Sequence, residues 1–123
     1  MKARPKYLNL FQIRQPVPAL VSILHRISGA ALFLFLWLFL AGLQKSLLSP
    51  ESFADLKAML GHPASKLLML GLLWAYLHHL FAGLRHLGLD LLLGTALPQA
   101  RATSFAVLAA GLGLTLTVGM LLW

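Results

Sequence analysis

Residues 78–90 read HHLFAGLRHLGLD, and they close a long apolar run with three histidines, an arginine and an aspartate. Such side chains are costly inside a membrane, and where they occur there they mark candidate functional sites. On a helix that turns about 100° per residue, positions spaced by four, three and four lie along one stripe. The residues so spaced are His79, Gly83, His86 and Asp90. This polar stripe is the first candidate functional feature of the chain.

The composition indicates a membrane protein. Hydrophobic residues make up 59% of the 123 residues and charged residues only 11%, against about 25% charged in soluble domains. The ten Lys and Arg outnumber the three Asp and Glu. This excess does not indicate nucleic acid, because the surface that a basic patch would need is largely apolar. In a membrane protein it reflects orientation and contact with anionic lipid.

Cysteine is absent from the sequence. The chain therefore supplies no disulfide, no catalytic thiolate, and no thiolate ligand for zinc or for an iron–sulfur cluster. No cleavable signal peptide is predicted, since the first twenty residues are basic and contain prolines rather than a compact apolar core.

The hydrophobic pattern predicts an all-α membrane protein with three transmembrane helices in a single domain, residues 1–123. A span needs about 20 apolar residues. An amino-terminal arm, in which basic residues alternate with Tyr, Leu and Phe, suits the headgroup region. The predicted ranges are 1–18 for this interfacial arm and about 19–44, 65–93 and 103–123 for the spans.

The first two spans are joined by a predicted loop at residues 46–64. A short surface helix at 51–60 fits within it, because Ser49 or Ser52 could cap its amino end. His62, beside a proline, is interpreted as a solvated loop histidine.

The second and third spans are joined by a predicted loop at 94–102, with Gly94 as the stop of the second helix. In the third span, Gly111, Thr115 and Gly119 are spaced by four. Small residues at this spacing let a neighbouring helix approach closely, although they could also be merely flexible positions in an apolar helix.

Basic residues set the predicted orientation, because cytoplasmic loops of membrane proteins carry an excess of Lys and Arg. With three spans, the amino terminus and the second loop share one side and hold seven basic residues, against three on the other side. The seven are Lys2, Arg4, Lys6, Arg14, Arg26, Arg85 and Arg101, and the three are Lys45, Lys57 and Lys66. The amino terminus is therefore predicted to be cytoplasmic, or on the matrix side in an organelle.

A second polar cluster lies at the start of the first span, in the same leaflet as residues 79–90. Its members fall at i, i+3, i+4 and i+7, on one predicted helical face: Ser22, His25, Arg26 and Gly29. A hydroxyl, an imidazole and a guanidinium suit an anionic or carbonyl-bearing ligand. Alternatively, the two basic side chains simply reach to the lipid headgroups.

His79 is a candidate axial ligand of haem iron, with Gly83 leaving room for a flat macrocycle. It could instead pack as a hydrogen-bonded residue or belong to a proton relay. His78 is the rival ligand, pointing about 100° away. A zinc site is disfavoured because no compact ligand set is present. A serine hydrolase is disfavoured because Ser22 lacks a buried acid to orient a histidine base.

Two motifs make the chain recognisable. Residues 22–29, SILHRISG, resemble the signature S-I-x-H-R-x-[ST]-G of the cytochrome b subunit of succinate dehydrogenase, a membrane anchor of respiratory complex II. Residues 79–90 resemble the second signature of that family, H-x-x-x-G-x-R-H-x-x-x-D. The resemblance runs from Arg4 to Trp123. The leader RPKYLNL at residues 4–10 departs from the commoner form R-P-x-S-P-H-L.

The resemblance implies site residues. His79 would be an axial ligand of haem b, with the second axial histidine on another anchor subunit that shares the helical bundle. His25 and Arg26 would lie near the haem propionates, and Gly83 and His86 would also border the cofactor. Ser22 and Arg26 would help to form the ubiquinone site. Arg85 and Asp90 would organise the inner end of the second span.

The resemblance also implies an activity. The complex would oxidise succinate in a flavoprotein subunit and pass electrons through an iron–sulfur subunit to ubiquinone, with FAD and clusters only in those partners. The chain would dock these subunits in the bacterial inner membrane, rather than the mitochondrial one. Alternatives are an anchor of a quinol:fumarate reductase, a haem-free structural anchor, and a small transport subunit. The last is disfavoured because the polar groups concentrate in one leaflet.

Overall fold

The computed structural model describes residues 13–123, and within them the chain forms four α-helices and no strands. Their bounds are α1 Val17–Leu48, α2 Pro50–Gly61, α3 Pro63–Asp90 and α4 Leu97–Leu122. Three of them, α1, α3 and α4, are long and apolar enough to cross a membrane. The predicted all-α membrane fold with three candidate spans is therefore confirmed. Most of the predicted interfacial arm, including the leader at 4–10, lies outside the described residues.

Helix α1 is longer than predicted at its carboxyl end. It begins directly after Pro16, with Pro18 in its first turn, where proline is well tolerated. The predicted end near residue 44 is wrong, because Gln44 and Lys45 are good helix formers and nothing after them breaks the helix before Ser49. At about 1.5 Å per residue, its 32 residues are about 48 Å long, more than the hydrocarbon core of a bilayer.

The predicted loop at 46–64 is almost entirely helical. The short helix predicted at 51–60 is present as α2. A capping box starts it: the amide of Ser52 donates to the Ser49 hydroxyl (3.2 Å), and the amide of Ser49 donates to the Ser52 hydroxyl (3.1 Å). The pKa of Glu51, in the first turn of α2, is lowered mainly by its hydrogen bond with the Ser49 side chain. A hydrogen bond with the backbone of Glu51 itself lowers this pKa further.

His62 separates α2 from α3. It is exposed, as a loop histidine should be, and its Nδ1 accepts a hydrogen bond from the amide of Ala64 (3.2 Å). His62 thereby caps the amino end of α3, while Pro63 occupies the first helical turn. The connection between the two helices is thus one residue long.

The turn between α3 and α4 differs from the prediction at both ends. Helix α3 ends at Asp90 through a Schellman motif, in which the amide of Leu92 donates to the carbonyl of Leu89 (2.9 Å) and that of Leu93 to Gly88 (2.9 Å). The left-handed position is Leu92, with φ 61°, and not Gly94, which has φ 73° but lies two residues further on. The predicted loop at 94–102 is wrong.

Helix α4 begins at Leu97, six residues before the predicted start of the third span, because Pro98 fits the first helical turn rather than ending a loop. Gly111 and Gly119 of this helix face α3, as the small-residue stripe predicts. A Cβ on Gly111 would lie 3.6 Å from the Cα of His78, and one on Gly119 would lie 2.7 Å from Cδ2 of Leu70. Thr115 between them is buried.

The three long helices share a small core. One residue from each meets there: Val21 of α1, Ala82 of α3 and Val107 of α4, with Phe81 and Leu108 packed against them. Val21 and Ala82 are sequence neighbours of Ser22 and Gly83, so this core lies beside the two polar clusters.

Candidate functional site

The structure brings the two predicted polar clusters together. The imidazole rings of His25 on α1 and His79 on α3 stack with their centroids 4.1 Å apart and their planes 16° from parallel. The two residues are separated by more than fifty positions in the sequence. The packing of α1 on α3 therefore brings the two clusters into contact, as expected for clusters predicted to lie in the same leaflet.

The Nδ1 atom of His79 is held by α1. It lies 3.0 Å from the backbone carbonyl of His25 and 3.3 Å from the hydroxyl of Ser28. A carbonyl can only accept a hydrogen bond, so the proton of the imidazole is on Nδ1. In the neutral ring, Nε2 then carries the lone pair, which is the form that binds a metal.

Gly29 allows this close contact between the helices. A Cβ at this position would lie 2.8 Å from Cε1 of His79 and 3.2 Å from its Nδ1. Any residue larger than glycine would therefore push the imidazole away from α1. We refer to the His25 carbonyl, the Ser28 hydroxyl and the bare Cα of Gly29 as the α1 cradle.

A third imidazole extends the cluster. The ring of His86 lies 5.1 Å from that of His25, tilted by 49°. His25 thus stands between His79 and His86, and its Nε2 lies 3.5 Å from where a Cβ of Gly83 would be. The sequence predicts room for a macrocycle beside Gly83, and in this structure the His25 imidazole borders that position.

The predicted face of α1 divides into two. His25 and Gly29 contact α3, as does Ser28, whose position the sequence analysis did not single out beyond the motif. Arg26 lies on the exposed side of the helix and Ser22 is half-buried. The four positions lie on one side of α1, as their spacing predicts, but α3 covers only part of this side, because a helix packed on one neighbour buries only part of so wide a face.

Arg85 joins α3 to α4. Its Nε donates to the Thr103 hydroxyl (3.0 Å) and its Nη2 to the Ala100 carbonyl (3.3 Å). These bonds hold the carboxyl-terminal part of α3 to the first turns of α4. Asp90, the last residue of α3, is exposed and does not meet the histidines, so the stripe functions as a cluster only from His79 to His86.

His78, the rival ligand, points into the chain. It is fully buried between the three long helices, stacked on Trp74 with ring centroids 5.2 Å apart and packed against Gly111. Its Nε2 makes a long contact of 3.5 Å with the Val21 carbonyl on α1. Nothing in the sequence pattern predicts this burial, which depends on how α4 covers α3.

The donor set suits a macrocycle better than a bare metal ion. Among residues 13–123, no group of three His, Cys, Asp or Glu side chains is arranged to hold a metal. A single imidazole with a free Nε2 is what one axial position of a haem requires, because the macrocycle provides the four equatorial nitrogens. His79 is half-buried, so its side chain is not enclosed within the chain as that of His78 is.

Comparison with known proteins identifies the family of the chain. The sequence pattern of the succinate dehydrogenase/fumarate reductase transmembrane subunit matches residues 1–118. The succinate dehydrogenase cytochrome b556 subunit of Coxiella burnetii is 37% identical over 121 residues, which cover 98% of this chain and 97% of the relative. The subunit of the same name from Paracoccus denitrificans is 35% identical over 106 residues, 86% of this chain and 82% of the relative. This chain therefore belongs to the family of transmembrane cytochrome b subunits of succinate dehydrogenase.

Proposed function

We propose that this chain is the haem b-binding membrane anchor of a succinate:ubiquinone oxidoreductase. The observation that carries the proposal is the His79 imidazole, whose Nδ1 is held by the His25 carbonyl (3.0 Å) while Nε2 is left free. Metal-ligating histidines ordinarily donate their other ring N–H to such a group. The name cytochrome b556 of both relatives implies haem b, which this arrangement suits.

The residues near His79 fit the remainder of a haem. Haem would supply one-electron transfer within the membrane. His25, Arg26 and His86 would face its propionates, because a guanidinium and imidazoles are natural partners of carboxylates. Since one chain offers one axial imidazole at this depth, the second axial ligand would come from another anchor subunit that completes the helical bundle.

Ser22 and Arg26 would serve ubiquinone. Their positions support this role: both are on α1, one turn apart, and neither is buried. The Ser22 hydroxyl can donate to a quinone carbonyl, and the fixed charge of Arg26 can stabilise negative charge that develops on the quinone oxygen. The exposure of Arg26 also makes it available to a ligand or a partner subunit.

The chain would dock the soluble subunits and leave the chemistry of succinate to them. FAD and iron–sulfur clusters would reside in the flavoprotein and iron–sulfur subunits, since this sequence has no cysteine to bind a cluster. The distribution of basic residues supports a cytoplasmic amino terminus in a bacterial inner membrane. The names of the two relatives favour succinate oxidation over the quinol:fumarate reductase alternative.

The test is haem content of the purified complex with His79→Ala beside the wild type. We expect the b-type pyridine haemochrome signal to be lost, because alanine offers no axial ligand. His62→Ala, an exposed histidine at the opposite end of α3, is the matched control and should keep the signal. An unchanged b-type signal in an assembled His79→Ala complex would contradict the ligand assignment. A wild-type complex without any b-type signal would favour the haem-free structural anchor.

A further inference from the structure

We infer that Ser28 is a positioning residue for His79, and that its hydroxyl tunes the reduction potential of the iron that His79 binds. The inference deepens the proposed function and rests on His79 as the haem ligand. Ser28 does not need to contact haem for this role. It acts through the imidazole, as the outer partner of an axial ligand does.

The hydroxyl of Ser28 has two partners in a buried setting. It donates to the His25 carbonyl (2.9 Å), and its oxygen lies 3.3 Å from Nδ1 of His79. The residue is 2% exposed, so water does not compete for these hydrogen bonds. Because the hydroxyl proton is given to the carbonyl, the oxygen is free to accept the proton of Nδ1.

Two other serines within the long helices bond only to the backbone of their own helix. Ser46 donates to the Leu43 carbonyl (2.7 Å) and Ser104 to the Ala100 carbonyl (2.7 Å), as serines within helices ordinarily do. Neither contacts a histidine. The bond from Ser28 to its own helix is therefore unremarkable, and the contact with His79 across the helix interface is what distinguishes it.

The α1 cradle fixes both the tautomer and the rotation of the ring. If the proton were on Nε2, the lone pair of Nδ1 would face the lone pairs of the His25 carbonyl at 3.0 Å, which is repulsive. With the proton on Nδ1, two acceptors share it, and Nε2 presents its lone pair outward. Stacking on His25 and the bare surface of Gly29 keep the ring in this plane.

Two acceptors on Nδ1–H make the imidazole more basic at Nε2. A more basic axial ligand stabilises ferric over ferrous iron and lowers the reduction potential. Removing the Ser28 oxygen leaves the His25 carbonyl as the sole acceptor. The haem should then stay bound, while the reduced form becomes easier to populate.

The experiment is a redox titration of the haem in the purified complex, followed by its b-type absorption, with Ser28→Ala beside the wild type. At the potential where the wild type is half reduced, we expect the ratio of reduced to oxidised haem in Ser28→Ala to be about threefold higher, as for partial loss of one hydrogen bond. Haem content per complex should equal that of the wild type.

Two further variants make the result specific. Ser28→Thr keeps the hydroxyl and should titrate like the wild type. Ser46→Ala removes a hydroxyl with the same backbone bond but no histidine contact, and it should also leave the potential unchanged. If Ser28→Ala does not assemble, Ser28→Cys replaces it, and its weakly accepting sulfur should give an intermediate shift.

The outcomes separate this inference from the proposed function. An unchanged potential in a haem-loaded Ser28→Ala complex overturns the role of Ser28 but leaves His79 as the ligand. A shift of the same size in Ser46→Ala overturns it too, because the effect would then be unspecific. Retention of haem in His79→Ala overturns the proposed function itself.

Discussion

Gly29 is the residue on which the contact between the two polar clusters depends most directly. The glycine places the Cα of α1 against the edge of the His79 imidazole, and a Cβ there would be 2.8 Å from Cε1. That separation is shorter than a van der Waals contact, and the neighbour is a ring whose Nδ1 is held against α1 by two polar contacts. The ring cannot yield without losing the cradle.

Gly29→Ala should therefore lower the haem content of the complex and destabilise the packing of α1 on α3 by about 1–3 kcal/mol, the usual cost of overpacking. Haem per assembled complex and thermal midpoint are the measurements. Gly42→Ala is the matched control, since nothing lies within 4 Å of its added Cβ, and alanine should stabilise α1 there by about 0.5–1 kcal/mol. Equal haem content in both variants would contradict the importance of the close contact.

The sequence allows the histidines of the site to be identified, but it does not predict which groups they contact. His25, His79 and His86 follow from their cost in a membrane and from their spacing. The hydrogen bond between His79 and the backbone carbonyl of His25 cannot be predicted from the order of side chains in the sequence. The burial of His78 and the role of Ser28 depend on the rotation of α1 against α3, which packing sets and spacing leaves open.

Helix α3 ends in a turn that its sequence does not favour. Leu92 takes the left-handed position of the Schellman motif, with φ 61°, where glycine is the usual residue because a Cβ costs about 1–2 kcal/mol. The bonds of Leu92 and Leu93 back to the helix hold it there. The sequence points instead to Gly94, because glycine is the ordinary signal for this position.

Leu92→Gly should relieve the strain at this turn and raise the thermal midpoint of the purified complex at a fixed heating rate. The leucine side chain is 79% exposed, so little packing within this chain is lost with it. Leu91→Gly is the control, since φ at Leu91 is −86° and glycine there adds only flexibility to the unfolded chain. A lower thermal midpoint for Leu92→Gly than for Leu91→Gly would contradict the presence of backbone strain at Leu92.

The spans themselves are predictable, and their ends are less so. Runs of about 20 apolar residues fix the existence and order of α1, α3 and α4. The carboxyl end of α1 and the start of α4 were predicted wrongly, because lysine, glutamine and an early proline are compatible with helix as well as with loop. Ser49 and Ser52, as candidate caps, do indicate α2.

The whole chain buries few side chains of its own. Among residues 13–123, six hydrophobic residues are buried, while Phe33 and Trp37 on α1 are 66% and 70% exposed. Hydrocarbon accommodates such surfaces without penalty, and so do neighbouring helices. The described helices therefore leave most of their apolar surface to lipid or to neighbouring helices.

Arg26→Leu tests how the proposed complex divides its work between subunits. We expect succinate oxidation with an artificial acceptor to be retained and quinone reduction to fall by about 10²–10³-fold, as when one charge-stabilising group is removed. Paired assays on the same purified complex give the ratio. Arg101→Leu, an exposed arginine on α4, should leave that ratio unchanged. An equal loss of both activities in Arg26→Leu would contradict a quinone role.

The buried His78 has a consequence for the order of assembly. It joins α3 to α1 through the Val21 carbonyl and packs on Gly111 of α4, on the side of α3 away from the cradle. These contacts are made within one chain, so we expect the three helices to pack in this register without a cofactor or a second subunit. Under the proposed function, haem would then bind to a subunit in which the His79 imidazole is already oriented.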